Sequence, residues 1–155
     1  MGVPKTANSG EKMTIVVNFY LSNESNWDVL YRQTCKIIEK HFHPDKKIYI
    51  YVDNPTIAQQ LDTLLWTFHD TSFLPHTIYK DNADFSVPIL IGSNANSVFE
   101  GDILVNLTTN VPNCYQQFKQ VFEVVPNEEN YKKSARERYK FYKSQNCKLE
   151  THNLE

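Results

Sequence analysis

Thr14–Leu21 reads Thr-Ile-Val-Val-Asn-Phe-Tyr-Leu, and Lys47–Val52 reads Lys-Ile-Tyr-Ile-Tyr-Val. Both runs are rich in β-branched and aromatic residues and are apolar at nearly every position. That is the pattern of a strand buried on both faces of a sheet. Between them, Trp27, Leu30, Tyr31, Thr34, Cys35, Ile38 and Phe42 follow the spacing of an amphipathic helix. Ser25 with Asp28 supplies its cap, and Pro44 stops it. After the second strand Asn54 caps and Pro55 suits the first helical position. Ile57, Ala58, Leu61, Leu64, Leu65 and Phe68 then mark a second helix. Strand–helix–strand–helix is the order of parallel crossover units.

Val87–Ile91 and Asp102–Leu107 read as further strands. Pro112–Lys119 reads as a short helix and Gln120–Val125 as a last strand, closed by Pro126. Asn127 caps a final helix that carries Glu128 and Glu129 in its first turn and runs to about Ser144. The expected fold is a three-layer, Rossmann-like α/β domain with a mostly parallel sheet of about five strands flanked by helices. Residues 1–12 read as a disordered extension, 13–146 as the domain and 147–155 as a frayed tail.

With 155 residues, 41% of them hydrophobic, the chain is long enough for one domain with a real core. The formal charge of -2 gives no sign of a general nucleic-acid binder, which would be clearly basic. Three cysteines, Cys35, Cys114 and Cys147, are odd in number and far apart, which argues against a disulfide framework and for a reducing cytoplasm. Cys35 falls on the apolar stripe of its helix and reads as core. No apolar run spans a bilayer, and the first twelve residues do not form a signal peptide.

Four glycines, two of them at positions 2 and 10, cannot build a phosphate-binding loop. The first strand-to-helix turn contains Glu24, which would repel a phosphate. His41 and His43 are two apart and point to different helix faces, a poor metal pair. His69, Asp70 and His76 lie near a loop, where such groups are solvated, and no nucleophile elbow accompanies them. The expectation is a protein without catalytic residues, metal or cofactor.

Two surfaces stand out. The helical stripe does not account for Trp66, nor for Phe73, Leu74 and Pro75 in the loop that follows. Large aromatics at a helix end are the material of a protein-binding hot spot; the alternative is that the loop tucks Trp66 and Phe73 into the core. On the final helix, Lys132, Arg136, Tyr139, Lys140 and Lys143 fall within an arc of about 100°. Glu137 lies on the other side, so no acid is expected to neutralise them, and Tyr131, Ala135 and Tyr142 face the sheet. A solvated face is the plain alternative. An acidic peptide segment suits a helix of this kind, with Tyr139 and Val125 forming an apolar notch for an aromatic or a chain end.

Leu61-Asp-x-x-Leu-Trp66, followed after five residues by Ser72-Phe-x-Pro-His76, resembles the chi subunit family of bacterial DNA polymerase III holoenzyme. So does Val125-Pro-x-Glu-x-x-x-Lys132-x-x-Ala135-Arg-Glu-Arg-Tyr139-Lys140-x-Tyr142-Lys143. Phe19-Tyr20-Leu21 and Asp102-Ile-Leu104 match in order, and the resemblance covers about residues 14–145. It implies an accessory protein of the replisome that joins the clamp loader, through a psi-like subunit, to the acidic, phenylalanine-terminated tail of single-stranded DNA-binding protein. The tail site carries over onto Val125, Lys132, Arg136 and Tyr139, with Lys140 and Lys143 as neighbouring charge. Arg136 would pair with carboxylates of the tail. The psi site carries over onto Trp66, Phe73 and Pro75, a patch that would also suit another partner such as a repair helicase. DNA would be reached only indirectly. Two other readings remain open: a direct single-stranded nucleic-acid binder that stacks bases on tyrosine, and an unusual nucleotide-using enzyme.

Overall fold

The strands order themselves by a simple division of labour between the two faces of each residue run. Ile48 and Ile50 point into one apolar cluster while Tyr49 between them points into another. The same holds for Ile89 and Ile91 against Leu90, and for Ile103 and Val105 against Leu104. Each run therefore needs cover on both sides, and helices provide it.

The computed structural model describes residues 14–68, 73–79, 86–94 and 100–154. Its strands are β1 (Val16–Ser22), β2 (Ile48–Tyr51), β3 (His76–Ile78), β4 (Ile89–Gly92), β5 (Gly101–Asn106), β6 (Phe118–Val125) and β7 (Lys148–Leu154). The helices are α1 (Trp27–His41), α2 (Pro55–Thr67) and α3 (Glu129–Ser144). The strands form one sheet in the order β3-β4-β2-β5-β6-β1-β7, with every pairing parallel. Helices α1 and α2 cover one face, where Leu30, Ile38, Leu61 and Leu65 meet Ile50, Ile91, Val105 and Phe122. Helix α3 covers the other, where Ala135 and Tyr142 meet Val17, Phe19, Val121 and Val125. The α/β class and the parallel sheet match the sequence reading.

The strand count does not: there are seven, not about five. Strand β3 has three residues, too few to show a period. Strand β7 occupies the segment expected to fray. It pairs along its whole length with β1, from Val16 opposite Lys148 to Ser22 opposite Leu154. An edge strand is held by its backbone ladder and tolerates polar side chains, so Lys-Leu-Glu-Thr-His-Asn-Leu carries no apolar signature. His152 adds two contacts: its Nε2 lies 2.9 Å from Asn18 Oδ1 and its ring stacks on Tyr20 with centroids 4.8 Å apart.

The turn into β7 is set by Asn146, whose φ is 64°. Asn146 N–H donates to the Lys143 carbonyl and Cys147 N–H to the Tyr142 carbonyl, each at 3.1 Å. This is a Schellman motif, with asparagine tolerated at the left-handed position. It ends α3 and sends the chain straight into the edge strand.

Capping follows the expected chemistry with small shifts. Asn54 Oδ1 accepts from Ile57 N–H at 3.0 Å, with Pro55 in the first turn, as the sequence indicates. At α1 the cap is Asn26, which accepts from Asp28 and Val29, rather than Ser25. At α3 it is Glu128, not Asn127; Asn127 N–H donates instead to the Glu24 carbonyl at 2.9 Å. The short helix expected over Pro112–Lys119 shrinks to a single 3-10 turn, Tyr115–Gln117. Phe118 is taken into β6 opposite Gly101.

Glycine is used here to admit aromatics. A Cβ on Gly101 would sit 2.5 Å from the Phe118 ring, and one on Gly92 2.7 Å from the Tyr49 hydroxyl. Cys35 is buried in the core as expected, and burial pushes its thiol pKa up to about 12. No helix among the described residues is long and apolar enough to cross a membrane.

Candidate functional site

Helix α3 connects β6 to β7, which are not neighbours: β1 lies between them. The helix therefore crosses over β1, and its residues sort into rows four apart. Ser134, Arg138 and Tyr142 form a row whose last two members are buried. Ala135 and Tyr139 form the next row. Lys132, Arg136 and Lys140 form the third.

The second and third rows wall a cavity of about 460 Å³ at the carboxyl ends of β1 and β6. Its apolar lining comes from Phe19, Leu21, Val125, Pro126, Ala135 and Tyr139, and its basic rim from Lys132, Arg136 and Lys140; Ser22 and Thr151 complete it. Tyr139 is 38% exposed, with its ring 5.5 Å from that of Phe19. Val125 is buried in the floor. Five of the six residues singled out on and before α3 thus meet at one cavity. Lys143, also exposed, is not part of its lining.

The cations are not free of acids, contrary to the helical-wheel expectation. Arg136 Nη2 lies 3.7 Å from Glu129 Oε2, and Lys140 Nζ lies 3.5 Å from Glu137 Oε2. Glu129 is two turns away and Glu137 one, and long side chains bridge that offset on a helix surface. All four groups are largely exposed. Such pairs are worth about 0–1 kcal/mol, so an incoming carboxylate can displace them.

The sequence reading missed the buried group behind the cavity. Glu123 has no exposed surface and sits on the sheet face covered by α3. Its carboxylate accepts from Asn106 Nδ2 at 3.0 Å, Arg138 Nε at 3.1 Å and Tyr142 Oη at 2.6 Å. Burial pushes the Glu123 pKa up, opposed first by the charge of Arg138 and then by these hydrogen bonds. Burial likewise raises Tyr142, and the Glu123 charge raises it further.

The second patch lies on the α1/α2 face near the β3 edge, opposite in both respects to the cavity. Trp66 is 52% exposed and Phe73 67%, with ring centroids 5.7 Å apart. The loop tucks Leu74 into the core instead, and Pro75 is half-buried. His76 is not solvated. It is buried under Trp66, 4.3 Å between rings, with Nδ1 2.5 Å from the Leu74 carbonyl and Nε2 3.0 Å from that of Asp62. His76 thus ties the loop to α2 beneath the two exposed aromatics.

Residues 1–12, His69, Asp70 and Ser72 of the sequence reading lie outside the described residues. Of the other histidines considered, His41 Nδ1 lies 3.0 Å from the Ile37 carbonyl, and His43 Nδ1 accepts from Asp45 N–H. Among the described residues no three metal-ligating side chains converge.

The backbone resembles much larger proteins. Against S. cerevisiae Dbp5, in a complex with ADP, the TM-score is 0.68 at 9% identity, covering 99% of this chain and 45% of that one. Against a DEAD box protein from Methanococcus jannaschii it is 0.55 at 12% identity, with the same coverage. At such identities these likenesses show the fold alone. Sequence similarity goes further. "DNA polymerase III subunit chi" of Pseudomonas aeruginosa is 27% identical over 138 residues, covering 89% of this chain and 96% of that protein. The Haemophilus influenzae subunit of the same name is 27% identical over 143 residues, and the Escherichia coli one 29% over 137. The family profile described as DNA polymerase III chi subunit, HolC, matches residues 13–150 and so takes in every element from β1 to α3. By that match the chain belongs to the DNA polymerase III chi subunit family.

Proposed function

We propose that this chain is a linker with two separate protein-binding faces. The cavity under α3 grips the acidic tail of single-stranded DNA-binding protein, and the Trp66–Phe73–Pro75 patch docks a psi-like subunit of the clamp loader. Membership of the chi family makes the chain a component of DNA polymerase III with a role in DNA replication. The finer reading is supported by one observation above others. A cavity with an apolar floor opens under a rim of three cations, which matches a peptide of acids ending in an aromatic.

The chemistry follows from that geometry. An aromatic ring entering against Phe19, Val125 and Tyr139 leaves water, worth about 1.5–3 kcal/mol for full burial. The guanidinium of Arg136 offers a planar fork to a carboxylate. Lys132 and Lys140 speed the encounter and lose effect as salt screens them.

Affinity for such a peptide is therefore expected to fall as salt rises, read by titration calorimetry. An affinity indifferent to salt would remove the cations from the account. A single-stranded oligonucleotide alone is expected to give no gel shift under the same conditions. Tight binding of the oligonucleotide would make the basic rim a nucleic-acid stripe instead.

A further inference from the structure

The buried carboxylate of Glu123 costs the fold desolvation that an apolar side chain would avoid. Its neighbours on that face are Val17, Phe19, Val121, Val125 and Tyr142, a surface on which a helix packs with wide latitude in rotation. Directional bonds remove that latitude. Arg138 reaches from α3 to Glu123 through Nε. Its Nη1 donates to the Thr109 carbonyl at 3.0 Å and to the Ser134 hydroxyl. Ser134 also donates to the Thr109 carbonyl, at 3.0 Å. Tyr142, one turn further on, donates to the other carboxylate oxygen. Asn106 holds the carboxylate from β5, and its own Oδ1 accepts from Thr108 N–H and hydroxyl. One row of α3 is thereby tied at three successive turns to β6 and to the loop after β5.

We propose that Arg138 and Glu123 are positioning residues that fix the rotation of α3, and so set Tyr139 and Arg136 over the cavity. Tyr139 follows Arg138 directly, about 100° round the helix, and Arg136 stands two residues before it. A turn of α3 that moved Arg138 off Glu123 would carry Tyr139 away from Phe19 and Arg136 away from the rim. The buried pair thus acts as a register device more than as a source of stability. The inference rests on the cavity being the peptide site, but its structural half does not.

The test is the double substitution Glu123→Gln with Arg138→Met. It removes both charges while leaving an amide oxygen for Tyr142 and Asn106, so no lone charge is buried. Two readouts are taken. The first, without peptide, is the NMR cross-relaxation between the rings of Phe19 and Tyr139. The second is calorimetric affinity for an acidic peptide ending in phenylalanine. The expected result is a cooperatively folded protein whose ring contact is weakened and whose affinity is at least tenfold lower. Arg138→Lys, which keeps the charge but loses the fork, is expected to fall between the two, and it serves in the same two readouts if the double variant does not fold. An intact ring contact with wild-type affinity in a folded variant overturns the proposal. A lost ring contact in a family of proteins that never bind the peptide leaves the positioning role standing and removes the tail-binding reading.

Discussion

Arg136→Ala is expected to weaken binding of an acidic, phenylalanine-terminated peptide by about 10- to 100-fold. The reason is the strength of what is lost. A hydrogen bond to a charged group contributes about 1.5–3 kcal/mol, and each 1.4 kcal/mol is about a factor of ten. Arg136 gives little in exchange when unbound. Its partner Glu129 is 3.7 Å away and both are exposed, so the free protein keeps the guanidinium nearly available. For the same reason the substitution should leave the melting temperature unchanged, because nothing in the core touches the side chain. Arg136→Lys should recover only part of the affinity, since an ammonium keeps the charge and loses the bidentate geometry. Calorimetry on the three proteins reads both points. Wild-type affinity in Arg136→Ala would remove this residue from the site.

Phe73→Ala is expected to abolish capture of a psi-like partner while leaving peptide binding intact. Hot-spot aromatics cost at least about 2 kcal/mol when truncated, a loss of about 30-fold. Phe73 is the most exposed large hydrophobic of the described residues, and Trp66 flanks it. Because Leu74 and not Phe73 enters the core, truncation opens no cavity, and stability should hold. The separation of effects rests on topology. Strand β3, which the Phe73 loop feeds, and strand β7, which borders the α3 cavity, are opposite edges of the sheet. Pull-down and calorimetry on one preparation decide it. Loss of both activities together, in a folded protein, would mean that the faces are not independent.

The sequence made these faces visible for different physical reasons. The basic rows of α3 were legible because helical spacing converts directly into a face, and the strands because burial on both sides leaves continuous apolar runs. What escaped needed contacts between distant segments. Glu123 and Arg138 are fifteen residues apart on different elements, and each looks like an ordinary surface charge until the helix is laid on the sheet. Glu123 sits in a run, Phe122 to Val125, that is otherwise apolar, which was the one available sign of a buried acid. Strand β7 escaped because backbone pairing with β1 holds it and its side chains say little. Asn146 in the left-handed conformation was the local clue to the turn that precedes it. The pairing of Glu129 and Glu137 with the cations was misjudged because a helical wheel ignores the reach of long side chains.

The most direct measurement compares two peptides on the wild-type chain by calorimetry, one of acidic residues ending in phenylalanine and one with the same acids and no terminal phenylalanine. A cavity with an apolar floor and a basic rim predicts one-to-one binding of the first. The second should bind at least about tenfold more weakly, the cost of leaving the ring in water. Equal affinity for the two peptides, or no binding of either, would contradict the assignment of the α3 cavity to an acidic, aromatic-terminated tail.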